Sequence, residues 1–285
     1  MGKSKSSVEP LLFNGIEAFR LQAASGATAL VSRFGGQVLS WRTADGCEQL
    51  FLSERARYDG SASIRGGIPV CFPQFSGLGD LPKHGLVRNR VWTPSGENCR
   101  DGYALLSLAV ADDAQSRTLW PHPFRAEITV AIQDNRLDVE LEVENTGADT
   151  FSFTAALHTY LRVKEVEQIA VQGLRGLEYR DAGDGDRIKR ETSVELAVDG
   201  EVDRVYHEAS AALLLSDGGR HLGIHSDGFP DAVVWNPWVN KCAALDDMAP
   251  LDFRRMICIE AAVAQRPFLL RAGESWAGRQ SLVAI

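Results

Sequence analysis

Two polar residues interrupt apolar stretches in the same way. His158 sits in Ala-Ala-Leu-His-Thr-Tyr-Leu-Arg-Val, beside the small Ala155 and Ala156, and Glu260 sits in Met-Ile-Cys-Ile-Glu-Ala-Ala-Val. Imidazole and carboxylate are the side chains best suited to moving protons near neutral pH, so the two form a candidate acid–base pair. Each also has a plainer explanation: a lone histidine in a strand is more often a hydrogen-bonded core residue, and a lone glutamate can be paired with an arginine. Spacing alone does not separate the two explanations.

A third stretch, Ile64 to Trp92, carries a different chemistry. Between Arg65 and Arg90 it holds five glycines and three prolines, which rules out a long helix or an uninterrupted central strand and predicts a loop. Ile68, Val70, Phe72, Phe75, Leu78, Leu81 and Leu86 are mixed into it and call for burial. An apolar loop of this kind is a fixed one that holds polar groups at set positions. Its charges are one-sided, with Arg65, Lys83, Arg88 and Arg90 against a lone Asp80, in a chain of formal net charge −8. A local cationic pocket in an acidic protein fits a small anionic ligand; the alternative is a core-covering crossover whose arginines bind stray carbonyls.

The elements that must position these residues read as strands. Residues 11–52 alternate short apolar runs with turn signals and predict a β-meander. Tyr103–Ala111 and Arg125–Gln133 are two more strand candidates, and Asp112–Trp120 reads as a short helix ended by Pro121-His-Pro123. Leu137, Val139, Leu141 and Val143 alternate with Asp138, Glu140, Glu142 and Glu144, so those carboxylates form a wet face and not a catalytic cluster. Further candidates are Phe151–Val163, Ile169–Val171, Ile188–Leu196, Ala211–Leu215, Leu222–His225, Ala232–Trp235, Met256–Ala262, Phe268–Leu270 and Gln280–Ile285. No β-α-β rhythm appears. The pattern predicts an all-β protein, an antiparallel sandwich or barrel with few short helices. No composition break marks a linker, so residues 1–285 are expected to form one domain, with residues 1–10 flexible.

With 38 acidic against 30 Lys and Arg residues, the chain is expected to bind neither nucleic acid nor an acidic membrane surface. No apolar run approaches the ~18 residues of a spanning helix and no signal peptide is evident, which predicts a cytoplasmic protein. Gly2 with a serine at position 6 matches the short N-myristoylation pattern, against which stands an ordinary polar terminus. The five cysteines are scattered and lack any C-x-x-C, so reduced thiols are expected. His221 and His225 are four apart, but along a strand that is roughly 13 Å, too far to share a metal ion. Asp181, Asp184 and Asp186 lack the spacing of an EF-hand and read as a hairpin loop. No metal site is expected.

Six motifs in order carry a resemblance. Arg65-Gly-Gly-Ile-Pro-Val-Cys-Phe-Pro-Gln-Phe, Lys83-His-Gly-Leu-Val-Arg88, His158-Thr-Tyr, Val202-Asp-Arg-Val-Tyr206, Val-Val-Trp-Asn-Pro-Trp238 and Cys-Ile-Glu260 closely resemble the hexose-6-phosphate mutarotases (glucose-6-phosphate 1-epimerases) of the aldose 1-epimerase superfamily, over about residues 15–283. The resemblance implies a large antiparallel β-supersandwich and interconversion of sugar anomers without cofactor or metal. It implies His158 as general acid and Glu260 as general base, with Arg65, Arg88 and Asp203 around a hexose 6-phosphate. His84, Trp235 and Asn236 match motif positions as substrate contacts. Lys83 departs from the pattern, since relatives often carry a neutral residue before His-Gly, and is a further possible phosphate contact. An ionised Glu260 and a protonated His158 would divide the work, with nearby anions favouring the imidazolium. A monomer is expected. Two alternatives stand beside this reading: an epimerase of neutral aldoses, which needs no cationic cluster, and a non-catalytic sugar-binding sandwich, which needs aromatic platforms such as Trp235 and Trp238 but not the acid–base pair.

Overall fold

The computed structural model describes residues 5–100 and 102–285; the Gly2 pattern lies outside them. The chain folds into antiparallel sheets, as its alternating patterns require. A four-stranded meander runs Ser7–Phe13, Ile16–Gln22, Thr28–Ser32 and Val38–Arg42, so residues 7–10 of the stretch expected to be flexible belong to a strand. A nine-stranded sheet is built around Arg136–Glu144, flanked by Arg125–Gln133 and Ser275–Ala284. An eight-stranded sheet is built around the long strand Met256–Leu270, flanked by Asp231–Asn236 on one side and by Phe151–Leu157 and Tyr160–Arg162 on the other. Two short α-helices, Ala114–Leu119 and Trp238–Ala243, accompany them.

The strand Arg136–Glu144 behaves as its periodicity demands. Leu137, Val139, Leu141 and Val143 are buried, and the intervening acids stay half-exposed. These apolar faces join side chains from the eight-stranded sheet in one core cluster, where Phe153 packs edge-on against Trp276 at 5.3 Å between ring centroids. Gln280 ties the two large sheets together: its side chain accepts from Thr159 Oγ1 and donates to the Ile259 carbonyl at 3.1 Å. Ala114–Leu119 falls inside the expected helix, and Asp113 caps it in a capping box with Ser116.

The central loop departs from a pure loop in two places. Val70–Cys71 joins the edge of the eight-stranded sheet beside Phe151–Leu157, and Val87–Asn89 forms a 3₁₀ turn. Ile68, Val70, Phe72 and Phe75 are buried, as expected, but Leu78 is 57% exposed. Gly67, at φ +62°, lets the loop press against the meander, since a Cβ there would stand 2.1 Å from the Val38 carbonyl oxygen. The expected strand Phe151–Val163 is two strands. It breaks at His158 and Thr159, where the His158 N–H donates to the Pro69 carbonyl and the Tyr160 N–H to the Gly67 carbonyl. The loop thus takes over the hydrogen bonds of the strand it interrupts, and the break is where His158 leaves the sheet. Ile188–Leu196 also splits, its halves joining different sheets. The helix Trp238–Ala243 and the edge strand Thr93–Arg100 carry no periodicity that announces them.

Candidate active site

His158 and Glu260 meet at the floor of a cavity of about 300 Å³. Glu260 projects from Met256–Leu270, His158 from the break beside it, and their Nδ1 and Oε1 atoms lie 3.2 Å apart. Both residues are buried, at 8% and 2% exposure. The two atoms come close without hydrogen-bond geometry, so His158 Nδ1 and Glu260 Oε2 are buried polar atoms with no partner. Buried polar atoms in folded proteins nearly always have one, which marks the pair as built for something that binds. Aromatic rings fix the imidazole on three sides. It stacks on Tyr160 at 4.8 Å and 12°, and meets Trp235 and His84 edge-on at 6.0 and 5.2 Å.

The electrostatics correct one expectation. Burial, then nearby His84 and the guanidinium groups of Arg65 and Arg88, hold His158 well below the ordinary histidine range. Burial, then the charge of Asp203, pushes Glu260 well above the carboxylate range. The unliganded site therefore disfavours the imidazolium–carboxylate form, because desolvation outweighs the anions expected to favour it. His84 is driven down to about 3, first by burial and then by Arg88 and Lys83. Its Nδ1 faces the Ser76 N–H at 3.3 Å, so the ring is neutral and carries its proton on Nε2.

Arg65, Lys83, Arg88, Asp203 and Trp235 also line the cavity, but they are not equivalent. Arg65 is committed: Nε donates to Asp247 Oδ2 at 3.1 Å and Nη1 to the Tyr160 hydroxyl at 2.9 Å. Arg88 is less so. Its Nη2 donates to the Lys83 carbonyl at 2.9 Å, while Nε is buried without a partner. Asp203 lies in the strand Val202–Tyr206, not in a turn, and its nearest ion-pair contact is Lys241 at 3.8 Å. Neighbours along a strand face opposite ways, so Arg204 pairs instead with Glu191 at 3.1 Å. Burial raises the Asp203 carboxyl.

Two expected residues are elsewhere. Asn236 is fully buried behind the cavity, where Nδ2 donates to the Phe253 and Met256 carbonyls, both at 2.8 Å, and Oδ1 accepts from the Trp238 N–H at 2.9 Å. It shapes the backbone entering the helix Trp238–Ala243 and does not reach the cavity. Arg90, counted among the loop's cations, bonds the Ala111 carbonyl and Asp113 instead. Trp238 packs on Phe253 at 5.1 Å, and of the two tryptophans only Trp235 lines the cavity.

Tyr160, Arg180, Lys241 and Asp247 line the cavity without having been singled out. Tyr160 was legible: it follows His158 by two residues, the spacing that returns a side chain to the same face. The others arrive on separate elements and had no local signal. Cys258, two residues before Glu260 on the same strand, also stands beside the pair. One donor atom each of His158, Cys258 and Glu260 lies within 4.8 Å of the others, a potential metal-binding cluster where none was expected. Asp181, Asp184 and Asp186 sit in a hairpin and pair with Lys189, Arg187 and Arg180.

The cavity floor thus brings together an imidazole, a carboxylate and an aromatic ring on antiparallel sheets. The aldose 1-epimerase family pattern matches residues 17–283. A provisionally named glucose-6-phosphate 1-epimerase from Cenchrus ciliaris is 34% identical over 95% of this chain and 86% of its own length. One of the same provisional name from Escherichia coli is 28% identical over 81% of this chain and 78% of its own. The fold matches the crystal structure of a provisionally named mutarotase from Salmonella typhimurium with a TM-score of 0.90, over 97% of this chain and 93% of that one, at 23% identity. The chain belongs to the aldose 1-epimerase family and is an epimerase.

Proposed function

We propose that this enzyme interconverts the α and β anomers of a hexose 6-phosphate, glucose 6-phosphate first among them. The observation that carries the reading is the unpartnered His158–Glu260 pair, 3.2 Å apart, beneath a rim bearing Lys83 and Arg88. Opening a pyranose needs a proton removed from the C1 hydroxyl and another given to the ring oxygen. Both oxygens are bonded to the same carbon, so acid and base must be adjacent, as these two are. Glu260 takes the hydroxyl proton, His158 protonates the ring oxygen, rotation about C1–C2 turns the aldehyde, and reclosure reverses the roles. The names of the relatives support the phosphorylated substrate, as does the cationic rim.

The substrate's charge acts on the His158 half of the pair. Arg65 and Arg88 help to hold His158 unprotonated. A phosphate dianion seated on the rim offsets the part of the shift due to the two guanidinium groups. Arg88, with a free buried Nε, is the leading phosphate ligand, and its guanidinium fork suits paired oxygens. Arg65 is a weaker candidate for direct contact, since Asp247 and Tyr160 already hold it. Asp203 accepts a sugar hydroxyl.

We read the chain as a one-domain cytoplasmic monomer. Its core cluster runs from Leu21 to Leu282, and its five cysteines are free. Polarimetry on freshly dissolved α-glucose and α-glucose 6-phosphate tests the proposal. Acceleration of the phosphate ester well beyond the neutral sugar is expected. Equal acceleration would favour a neutral-aldose epimerase, and none a binding module.

A further inference from the structure

We propose that the floor of the cavity binds Zn²⁺ and that the bound ion switches the enzyme off. The three groups that converge there are an imidazole nitrogen, a thiol sulfur and a carboxylate oxygen, all within 4.8 Å of one another, and all three residues are buried. A tetrahedral zinc ion with bonds of about 2.0 to 2.3 Å needs its ligand atoms about 3.3 to 3.6 Å apart. His158 Nδ1 and Glu260 Oε1 already stand at 3.2 Å, and a ligand atom of Cys258 lies within 4.8 Å of the other two residues' ligand atoms, so a side-chain adjustment closes the triangle.

The backbone holds this geometry in advance. Cys258 and Glu260 are two apart on one strand and therefore face the same way. Tyr160, two residues after His158, pairs directly with Cys258 across the neighbouring ladder. Two of the three residues carry a buried atom without a partner, His158 Nδ1 and Glu260 Oε2, so part of the desolvation that a metal site demands is already in place. The mixed nitrogen, sulfur and oxygen set selects zinc over magnesium or calcium, which take oxygen ligands. Three protein ligands leave a fourth position for water, which can enter from the cavity that His158 and Glu260 line.

Inhibition follows from shared atoms, and this half of the inference rests on the acid–base roles proposed above. An imidazole nitrogen and a carboxylate bound to zinc cannot carry protons to and from a sugar. Binding expels the thiol proton of Cys258, together with any proton held between His158 and Glu260, into solvent, so affinity rises with pH. Lys83 and Arg88 on the rim repel the incoming cation, and a seated sugar phosphate blocks its path.

Co²⁺ added to metal-stripped wild-type protein tests binding without reference to activity. A sulfur-to-cobalt charge-transfer band should appear in the near ultraviolet, saturate at one ion per chain and vanish in Cys258→Ala. In turnover assays Zn²⁺ should inhibit the wild type, with relief by EDTA and by excess glucose 6-phosphate. Cys258→Ala should keep its metal-free turnover and need at least 10- to 100-fold more Zn²⁺ for equal inhibition. Cys258→Ser, which preserves volume, serves if the alanine variant does not fold. Absence of the cobalt band in the wild type, or equal zinc sensitivity in the folded variants, would overturn the site. A normal band without inhibition would leave the metal site standing and overturn the roles assigned to His158 and Glu260. Activity abolished by EDTA and restored by zinc would make the ion a cofactor, and would overturn both the inhibition and the metal-free reading.

Discussion

Two arginine-lined clefts differ in a way that size does not reveal. The larger, about 860 Å³ against about 300 Å³, opens over the N-terminal meander and is lined in part by Arg20, Arg42, Arg162 and Arg220. It has no histidine in its lining and one carboxylate, Glu48, which already accepts from Ser40, from Arg42 at 3.3 Å and from the backbone of Trp41 at 2.9 Å. Arg220 pairs with Asp217, and Arg162 lies over the Phe51 ring at 6.0 Å. In the smaller cavity His158 and Glu260 each carry a buried polar atom without a partner, and both are pushed towards neutrality by burial. Volume and positive charge are common on protein surfaces; a buried, unpaired acid–base pair costs stability and persists where chemistry needs it. Four measurements break or sharpen this contrast.

The largest effect belongs to the pair itself. Glu260→Gln and His158→Asn should each lower kcat by about 10² to 10⁴ with the fold intact, while Arg220→Ala in the larger cleft should leave it unchanged. Near-normal turnover in either folded variant would show that the pair is not the catalytic centre.

Next comes the rim. Phosphate contacts lie far from C1 and act alike on ground and transition states, so Arg88→Ala should raise KM for glucose 6-phosphate on the order of 10- to 150-fold with little change in kcat. Arg65→Ala should lower kcat as well, because Arg65 orients Tyr160 and Tyr160 stacks on His158. Equal losses on glucose and on glucose 6-phosphate would make both arginines supports of the loop.

The third effect is on stability. Glu260 has a raised pKa when folded, so the unfolded chain sheds its proton first and stability falls as pH rises above the ordinary carboxylate value. Glu260→Gln removes that cost, and its melting temperature at pH 7 to 8 should exceed the wild type's even though it is inactive. His84 runs the other way. Its folded pKa of about 3 lies below the unfolded 6.5, so stability declines as pH falls from 6.5 towards 3, by up to about 1.4 kcal/mol per pH unit. His84→Asn, which tolerates the positive φ of 65° there, should flatten the decline. Parallel curves for variants and wild type would show that burial does not set these protonation states.

The smallest effect is expected at Lys83. It is exposed and forms no ion pair among the described residues, so Lys83→Ala should cost about 1 kcal/mol or less in substrate binding. A loss matching that of Arg88→Ala would place its ammonium on the phosphate.

The fold class and much of the site were written in local pattern. Period-two alternation in Arg136–Glu144 dictates one buried and one wet face wherever the strand lies, and Asp113 with Ser116 forms a local capping box at the start of its helix. The polar breaks at His158 and Glu260, and the cations of the central loop, were visible because each violates its surroundings. What sequence could not decide was everything that depends on neighbours distant in the chain. Strand order, the 3.2 Å approach of His158 to Glu260, the commitment of Arg65 to Asp247, the removal of Asn236 from the cavity and the arrival of Lys241 are long-range pairings, and no local periodicity encodes them. The protonation states belong to the same class. Residue type predicts an ordinary histidine and glutamate, whereas burial in the folded site moves one down and the other up, because desolvation is a property of the enclosing structure and not of the side chain.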